Sequence, residues 1–312
     1  MEPWELEAGE EAPWLWPGLI DLQINGYGGI NFSDPDLEGE ALLKILPLIW
    51  KEGVTQILPT LITNRPEILQ KNFQVLEAAR REEEDFRDTV PGYHLEGPFL
   101  SKGPSQGAHQ PKWMGNPDWS LFSEFQEAAG GNIRILTLAP ELPGAEKFIE
   151  QAVDSGVIVA LSHTDAEPEI IHRAVQAGAT MNTHLGNGCP QLVDRHHSPL
   201  WAQLTNPELA SGIICDGHHL IPDFVRLVQA VKPAGKVFLV SDAVHLAGLP
   251  SGDYDLGGKK ITLLESGKII TGNQGSLAGA SLPLRENVRI FREMTGVSLP
   301  EALRLASTIP AG

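Results

Sequence analysis

Four side chains, Glu96, His163, His184 and Asp242, carry the most distinctive chemistry this sequence can offer. Each closes a short apolar run: "VPGYHLE", "VIVALSH", "ATMNTHL" and "KVFLVSD". A carboxylate buried at a strand end without a partner costs several kcal/mol, so something must hold the charge of Glu96. Two imidazoles and one carboxylate drawn from separate strands are the set zinc takes in catalytic sites, where three protein ligands leave a position for water. Water on such an ion ionises near pH 7, about nine pH units below bulk water. A nearby carboxylate can then take its proton during attack on a carbonyl, and Asp242 is placed for that role. Singly, His163 and His184 could be satisfied core histidines and Glu96 a buried ion-pair partner. A whole set at corresponding strand ends is not what core periodicity produces. The other runs end in the same way, with Asp21, Gln23 and Asn25 on the first, Glu141 on the fourth, and Asp216 and His219 on the seventh.

The elements that must position these groups follow from the alternation of pattern. Strand-like runs "GLIDLQI", "VTQILPTL", "VPGYHLE", "IRILTLA", "VIVALSH", "ATMNTHL", "ASGIICD" and "KVFLVSD" are separated by amphipathic segments such as "RPEILQKNFQVLEAARREEE", "PEIIHRAVQAG" and "IPDFVRLVQAVKP". Several of these start near Pro and stop at Gly, as helices do. Strand and helix in alternation imply parallel strands. Eight such units predict an α/β fold of the (β/α)8 TIM-barrel type, which builds its chemistry at the C-terminal strand ends; a doubly wound open sheet is the alternative. The expected division is an N-terminal segment over 1–16, barrel strands and helices over 17–250, a β-hairpin appendage over 251–273, and C-terminal barrel loop and helices over 274–312.

Composition narrows the partners. The 312 residues are 42% hydrophobic, enough for a full core, and 23 Lys and Arg stand against 40 Asp and Glu, a net charge of −17. Such a field repels nucleic acid and anionic bilayers, so an anionic ligand needs locally placed cations. Cys189 and Cys215 are the two cysteines and have no CxxC spacing, which fits a reducing compartment. The acidic start "MEPWELEAGEEAPWLW" lacks the basic flank of a signal peptide, and no apolar run approaches the roughly 18 residues of a membrane helix. A cytoplasmic location is the default expectation.

The segments "PGLIDLQINGYGG", "HLEGPFLSKGPSQGAH", "TLAPE", "LSHTDA", "THLGNG", "GIICDGHHL" and "VSDA" occur in an order that resembles the N-acetylglucosamine-6-phosphate deacetylase family of the amidohydrolase superfamily. The resemblance runs from residue 17 to about 312. It implies one divalent ion, Zn2+, on Glu96, His163 and His184, with Asp242 as the catalytic acid and base. It implies that His109, of "GAH", binds substrate near the acetamide, that His219 is the substrate-binding histidine of "DGxH", and that one of these two histidines assists catalysis as hydrogen-bond donor to the developing oxyanion. Asn187 and Gly188 would approach the ligand through their backbone, Arg195 would bind the phosphate, and Leu277 and Ala278 of "GSLAGASL" would line the sugar site. A homodimer is implied as well, since family members can supply the arginine across the interface. The reaction implied is hydrolysis of the acetamide of N-acetylglucosamine 6-phosphate to glucosamine 6-phosphate and acetate.

The sequence also departs from the family. Two-metal members carry His-x-His after the first strand, whereas Gln23 and Asn25 stand here, and neutral amides bind zinc poorly; a mononuclear site is expected. Gly186 and Cys189 replace bulkier residues in the pocket wall, and His218 occupies a usually apolar position. Of the family's small β-domain, only the hairpin-like piece over 254–272 is legible. A related amidohydrolase acting on an unphosphorylated N-acetyl sugar, an N-acyl amino acid or a cyclic amide is one alternative, and a non-catalytic binding protein on a degenerate barrel is another.

Overall fold

A computed structural model describes residues 15–256, 259–271, 276–277 and 279–312. All eight strand-like runs form strands: β1 Leu19–Ile24, β2 Val54–Ile62, β3 Tyr93–Glu96, β4 Ile133–Leu138, β5 Ile158–Leu161, β6 Met181–Asn182, β7 Ala210–Ile213 and β8 Val237–Leu239. They lie in sequence order in one sheet, each parallel to the next, so Ile62 pairs with Glu96 and Glu96 with Thr137. The seam closes beyond β8, where Asn25 N donates to Ala243 O at 2.8 Å and Asp242 N to Gln23 O at 2.9 Å. This is the (β/α)8 barrel, and the first and last strand ends meet at the residues of interest.

The packing explains why these runs are strands. Leu58, Ile135, Ala160, Met181, Ile214, Phe238 and Val240 form one apolar cluster, while residues of the opposite parity, such as Ile57, Leu136, Val159 and Leu239, pack in a second, larger cluster with helix residues such as Phe73 and Phe148. Strands buried on both faces read as continuous apolar runs rather than alternating ones. Helix Pro168–Gln176 starts with Pro at its first turn and buries Ile171 and Ala174, three residues apart on one face. Among the described residues no helix is long and apolar enough to cross a membrane.

Where the sequence suggests a hairpin over 251–273, the structure forms four antiparallel strands, Gly252–Leu256, Lys259–Leu263, Ile269–Thr271 and Ser276–Leu277. A tight turn at 264–267, with Gly267 N donating to Leu264 O, folds the third strand back on the second. The ribbon is not isolated: Ile261, Leu263 and Ile269 pack on Leu246, in the loop that follows β8. That burial supplies the hydrophobic face a lone hairpin lacks. At the other end of the chain's course, Trp16 Nε1 donates to Ser307 Oγ at 2.7 Å; Trp14 lies outside the described residues.

Candidate active site

Glu96, His163 and His184 converge. Glu96 Oε1 lies 2.9 Å from His184 Nε2 and 3.1 Å from His163 Nε2, and the two nitrogens are 3.2 Å apart. All three residues are buried. His163 Nδ1 donates to the Ser105 carbonyl at 2.9 Å, which leaves a lone pair at Nε2. His184 Nδ1 has Ser162 Oγ at 3.3 Å and presents its Nε2 in the same sense. Burial pushes the Glu96 carboxyl up, but the surrounding imidazoles of His109, His163 and His184 outweigh it and hold the group well below the usual carboxylate range. Lone pairs and an anionic oxygen at this spacing repel unless a cation joins them. Bonds of about 2.0–2.2 Å to a tetrahedral zinc would set ligand atoms about 3.3 Å apart, so the donor set fits a divalent ion.

A fourth group belongs to this cluster. His109 offers a ligand atom that lies, with those of Glu96 and His163, within a common span of 4.8 Å. Its Nε2 is 3.9 Å from Glu96 Oε1, farther than that of His184, so the closer triad is the better cage. Burial, then the neighbouring charge of His163, lowers its pKa to about 4, and its ring is neutral near pH 7. Thr63 Oγ1 lies 2.9 Å from His109 Nδ1 and 3.5 Å from the Glu96 carbonyl, tying the ring to the end of β2.

Asp242 stands beside this cluster on the chain that closes the barrel. Asn25 Nδ2 donates to Asp242 Oδ1 at 2.7 Å. Burial raises the Asp242 pKa to about 6, against the opposing pull of His184. Gln23 Nε2 donates to Glu96 Oε2 at 3.3 Å. The two amides in the His-x-His place therefore hold the two carboxylates. His219 is tied to Asp216, with Nδ1 2.7 Å from Asp216 Oδ2.

The backbone marks the same residues. His163, His184 and Asp242, with φ of 48°, 31° and 49°, are the non-glycine residues with positive φ among those described. Such conformations cost about 1–3 kcal/mol each and persist where the surroundings over-determine them. Each follows a buried hydroxyl residue, Ser162, Thr183 or Ser241. A Ser/Thr–His/Asp pair directly after an apolar run is the sequence signal that could have flagged these turns.

Asn187 has a buried Nδ2 without a hydrogen-bond partner among the described residues. A Cβ on Gly188 would stand 1.8 Å from Ser162 Oγ and 2.8 Å from His163 N, so packing against the end of β5 already requires glycine. Arg195 is exposed and forms no ion pair among the described residues. Ala278 lies outside the described residues, and Leu277 is placed only as a backbone partner of Ile270. Glu141 lies beyond β4 and accepts from Asp165 N at 2.7 Å, bracing the loop after His163. Sequence reasoning missed Thr63, Ser105 and Ser162, whose hydroxyl or carbonyl oxygens orient the imidazoles.

A parallel barrel with an acid–imidazole cluster gathered at its C-terminal strand ends is the architecture of an amidohydrolase, and this chain is one. It is 32% identical over 299 residues to N-acetylglucosamine-6-phosphate deacetylase of Lysinibacillus sphaericus, covering 94% of this chain and 74% of that protein, and 34% identical over 307 residues to the Homo sapiens enzyme of the same name, covering 95% and 73%. The chain belongs to the N-acetylglucosamine-6-phosphate deacetylase family. The solved structure of a mutant of the Mycobacterium smegmatis enzyme in complex with N-acetyl-D-glucosamine-6-phosphate superposes with a TM-score of 0.85 at 30% identity, over 95% of this chain and 76% of that one. An N-acetylgalactosamine-6-phosphate deacetylase of Shewanella sp. (strain ANA-3) is 32% identical over 305 residues, 95% of this chain and 73% of that protein. No family model matches the chain.

Proposed function

We propose that the protein hydrolyses the acetamide of N-acetylglucosamine 6-phosphate, giving acetate and glucosamine 6-phosphate, with one divalent ion, Zn2+, held by Glu96, His163 and His184. The observation that carries this reading is the approach of those three ligand atoms to within 3.2 Å of one another, with Asp242 acting electrostatically on the same group. The ion supplies the Lewis acidity that makes water a nucleophile near neutral pH and polarises the amide carbonyl.

The chain's own residues supply the rest. Asp242, oriented by Asn25, takes the proton of the attacking water and then delivers it to the departing amine. With the Thr63 hydroxyl turned to His109 Nδ1 at 2.9 Å rather than to the Glu96 carbonyl at 3.5 Å, the ring proton lies on Nε2, from which His109 donates to the developing oxyanion. His219, Asn187 and Gly188 contact the bound sugar, and Leu277 and Ala278 line it. Arg195 binds the phosphate bidentately, as guanidinium does; its exposure suits a homodimer in which each chain completes its partner's site. The small sheet after β8 is the reduced β appendage of a barrel whose remaining helices follow residue 274. A cytoplasmic location accords with the reducing chemistry of the two free cysteines.

The test is acetate release from N-acetylglucosamine 6-phosphate by the purified protein, before and after chelation and after readdition of Zn2+. Absence of release under every condition would sink the proposal. One observation favours a second reading: an exposed Arg195 with no partner among the described residues leaves room for an unphosphorylated N-acetyl sugar, so the same assay is run with N-acetylglucosamine.

A further inference from the structure

Asp216 is buried, 3% exposed, and its two oxygens have separate tasks. Oδ1 accepts the backbone N–H of His218 at 2.8 Å and of His219 at 2.9 Å, closing the turn after β7. Oδ2 stands 2.7 Å from His219 Nδ1, and the His219 side chain is 9% exposed. Burial pushes the Asp216 carboxyl up, yet its contact with the His219 ring and the backbone N–H groups of His219 and His218 together outweigh it and keep the group below the usual carboxylate range. An ionised carboxylate has no proton to donate, so the hydrogen in this contact resides on Nδ1. A neutral imidazole carries one N–H, which leaves a lone pair at Nε2. The turn is anchored on its other side, where His218 Nε2 donates to the Ser266 carbonyl of the small sheet at 3.0 Å.

We propose that Asp216 is a positioning residue that fixes His219 as its Nδ1–H tautomer, so that the bare Nε2 accepts a hydrogen bond from a hydroxyl of the amino sugar. This rests on the reading of the substrate given above, and it assigns His219 to recognition of a donor on the sugar ring. The role of donor to the oxyanion then falls to His109. Sites built to bond a hydroxyl reject analogues lacking it far more strongly than apolar walls do. A neutral imidazole held by a buried carboxylate is such a site.

The test combines a spectrum and a kinetic cycle. In imidazole-15N-labelled wild-type protein near pH 7.5, with His219 assigned by its loss in His219→Ala, the expected pattern is a protonated Nδ1 and an unprotonated Nε2. Asp216→Asn, checked for folding by circular dichroism, is expected to shift that pattern and to raise KM for N-acetylglucosamine 6-phosphate about tenfold, with a smaller change in kcat. The Asp216→Asn, His219→Ala double variant should then be no worse than His219→Ala alone. An Nε2–H pattern in the wild type, or losses that simply add in the double variant, would overturn the proposal. If no sugar phosphate is hydrolysed by any of these proteins, the substrate reading fails, while the nitrogen spectrum of the wild type still decides the tautomer.

Discussion

Gln23 Nε2 donates to Glu96 Oε2 at 3.3 Å, while Glu96 Oε1 faces His163 and His184. The two oxygens of one carboxylate are thereby divided between a neutral amide and the ligand cluster. A carboxylate that bridges two ions needs both oxygens free, and here one is engaged.

One ion per chain is the expected outcome. Elemental analysis after metal reconstitution should give about one equivalent for the wild type, the three-ligand arrangement of a catalytic zinc site. The Gln23→His, Asn25→His double variant frees Glu96 Oε2 and adds two imidazoles, and should approach about two equivalents. Equal stoichiometry in both proteins would show that these amides do not set the metal count.

Asn25 and Asp242 predict a pH effect. Asp242 must be ionised to take a proton, and its pKa is raised to about 6, chiefly by burial, with the Asn25 hydrogen bond pulling it down. Activity should fall as pH drops through that value. Asn25→Ala removes a lowering influence, so the acid limb of the kcat/KM profile should move to higher pH. Asp242→Asn should cost about 10²–10⁴ in kcat with the thermal transition retained. An unmoved acid limb in Asn25→Ala would detach this pair from the proton transfer.

The barrel was legible because strands buried on both faces are written as apolar runs, and all eight runs became strands. Glu96, His163 and His184 were legible because a ligand type at a strand end is conspicuous against an apolar run. Hydroxyl and carbonyl partners were not: Thr63 holds His109 and the Ser105 carbonyl holds His163, and neither residue type stands out in a loop. Glu141 looks like a site residue in the sequence because side-chain type alone does not reveal that a carboxylate will turn back to a backbone amide. The small sheet reads as a hairpin because its stability comes from Leu246, a loop residue outside the ribbon.

Gly188 gives a test of how firmly the cage is held. An added Cβ would lie 1.8 Å from Ser162 Oγ and 2.8 Å from His163 N, and the backbone contact cannot be relieved by a rotamer change. Gly188→Ala should displace His163 and weaken metal retention by about 10–100-fold, the scale of supporting-shell losses. Competition with a chromophoric chelator measures this directly. Unchanged retention with a raised KM would instead assign Gly188 to substrate contact alone.

Asp21 predicts a pH dependence of stability that is separate from catalysis. Its carboxyl is buried at the β1–β8 seam, accepts Ser241 N at 3.1 Å and has its pKa raised from 3.8 to about 7, chiefly by burial. The folded state therefore keeps a proton that the unfolded chain releases near pH 4. The contribution of Asp21 to stability is fully present below about pH 4, declines as pH rises, and is lost by about pH 7, because the folded state binds more protons across that window. Asp21→Asn is neutral at every pH and offers the same acceptor to Ser241, so it lacks this decline. Urea midpoints of the two proteins at pH 4.5 and pH 8 are the measurement, and the difference should move in favour of the asparagine variant at the higher pH. A difference that stays constant would mean that Asp21 is already ionised at pH 4.5 inside the fold.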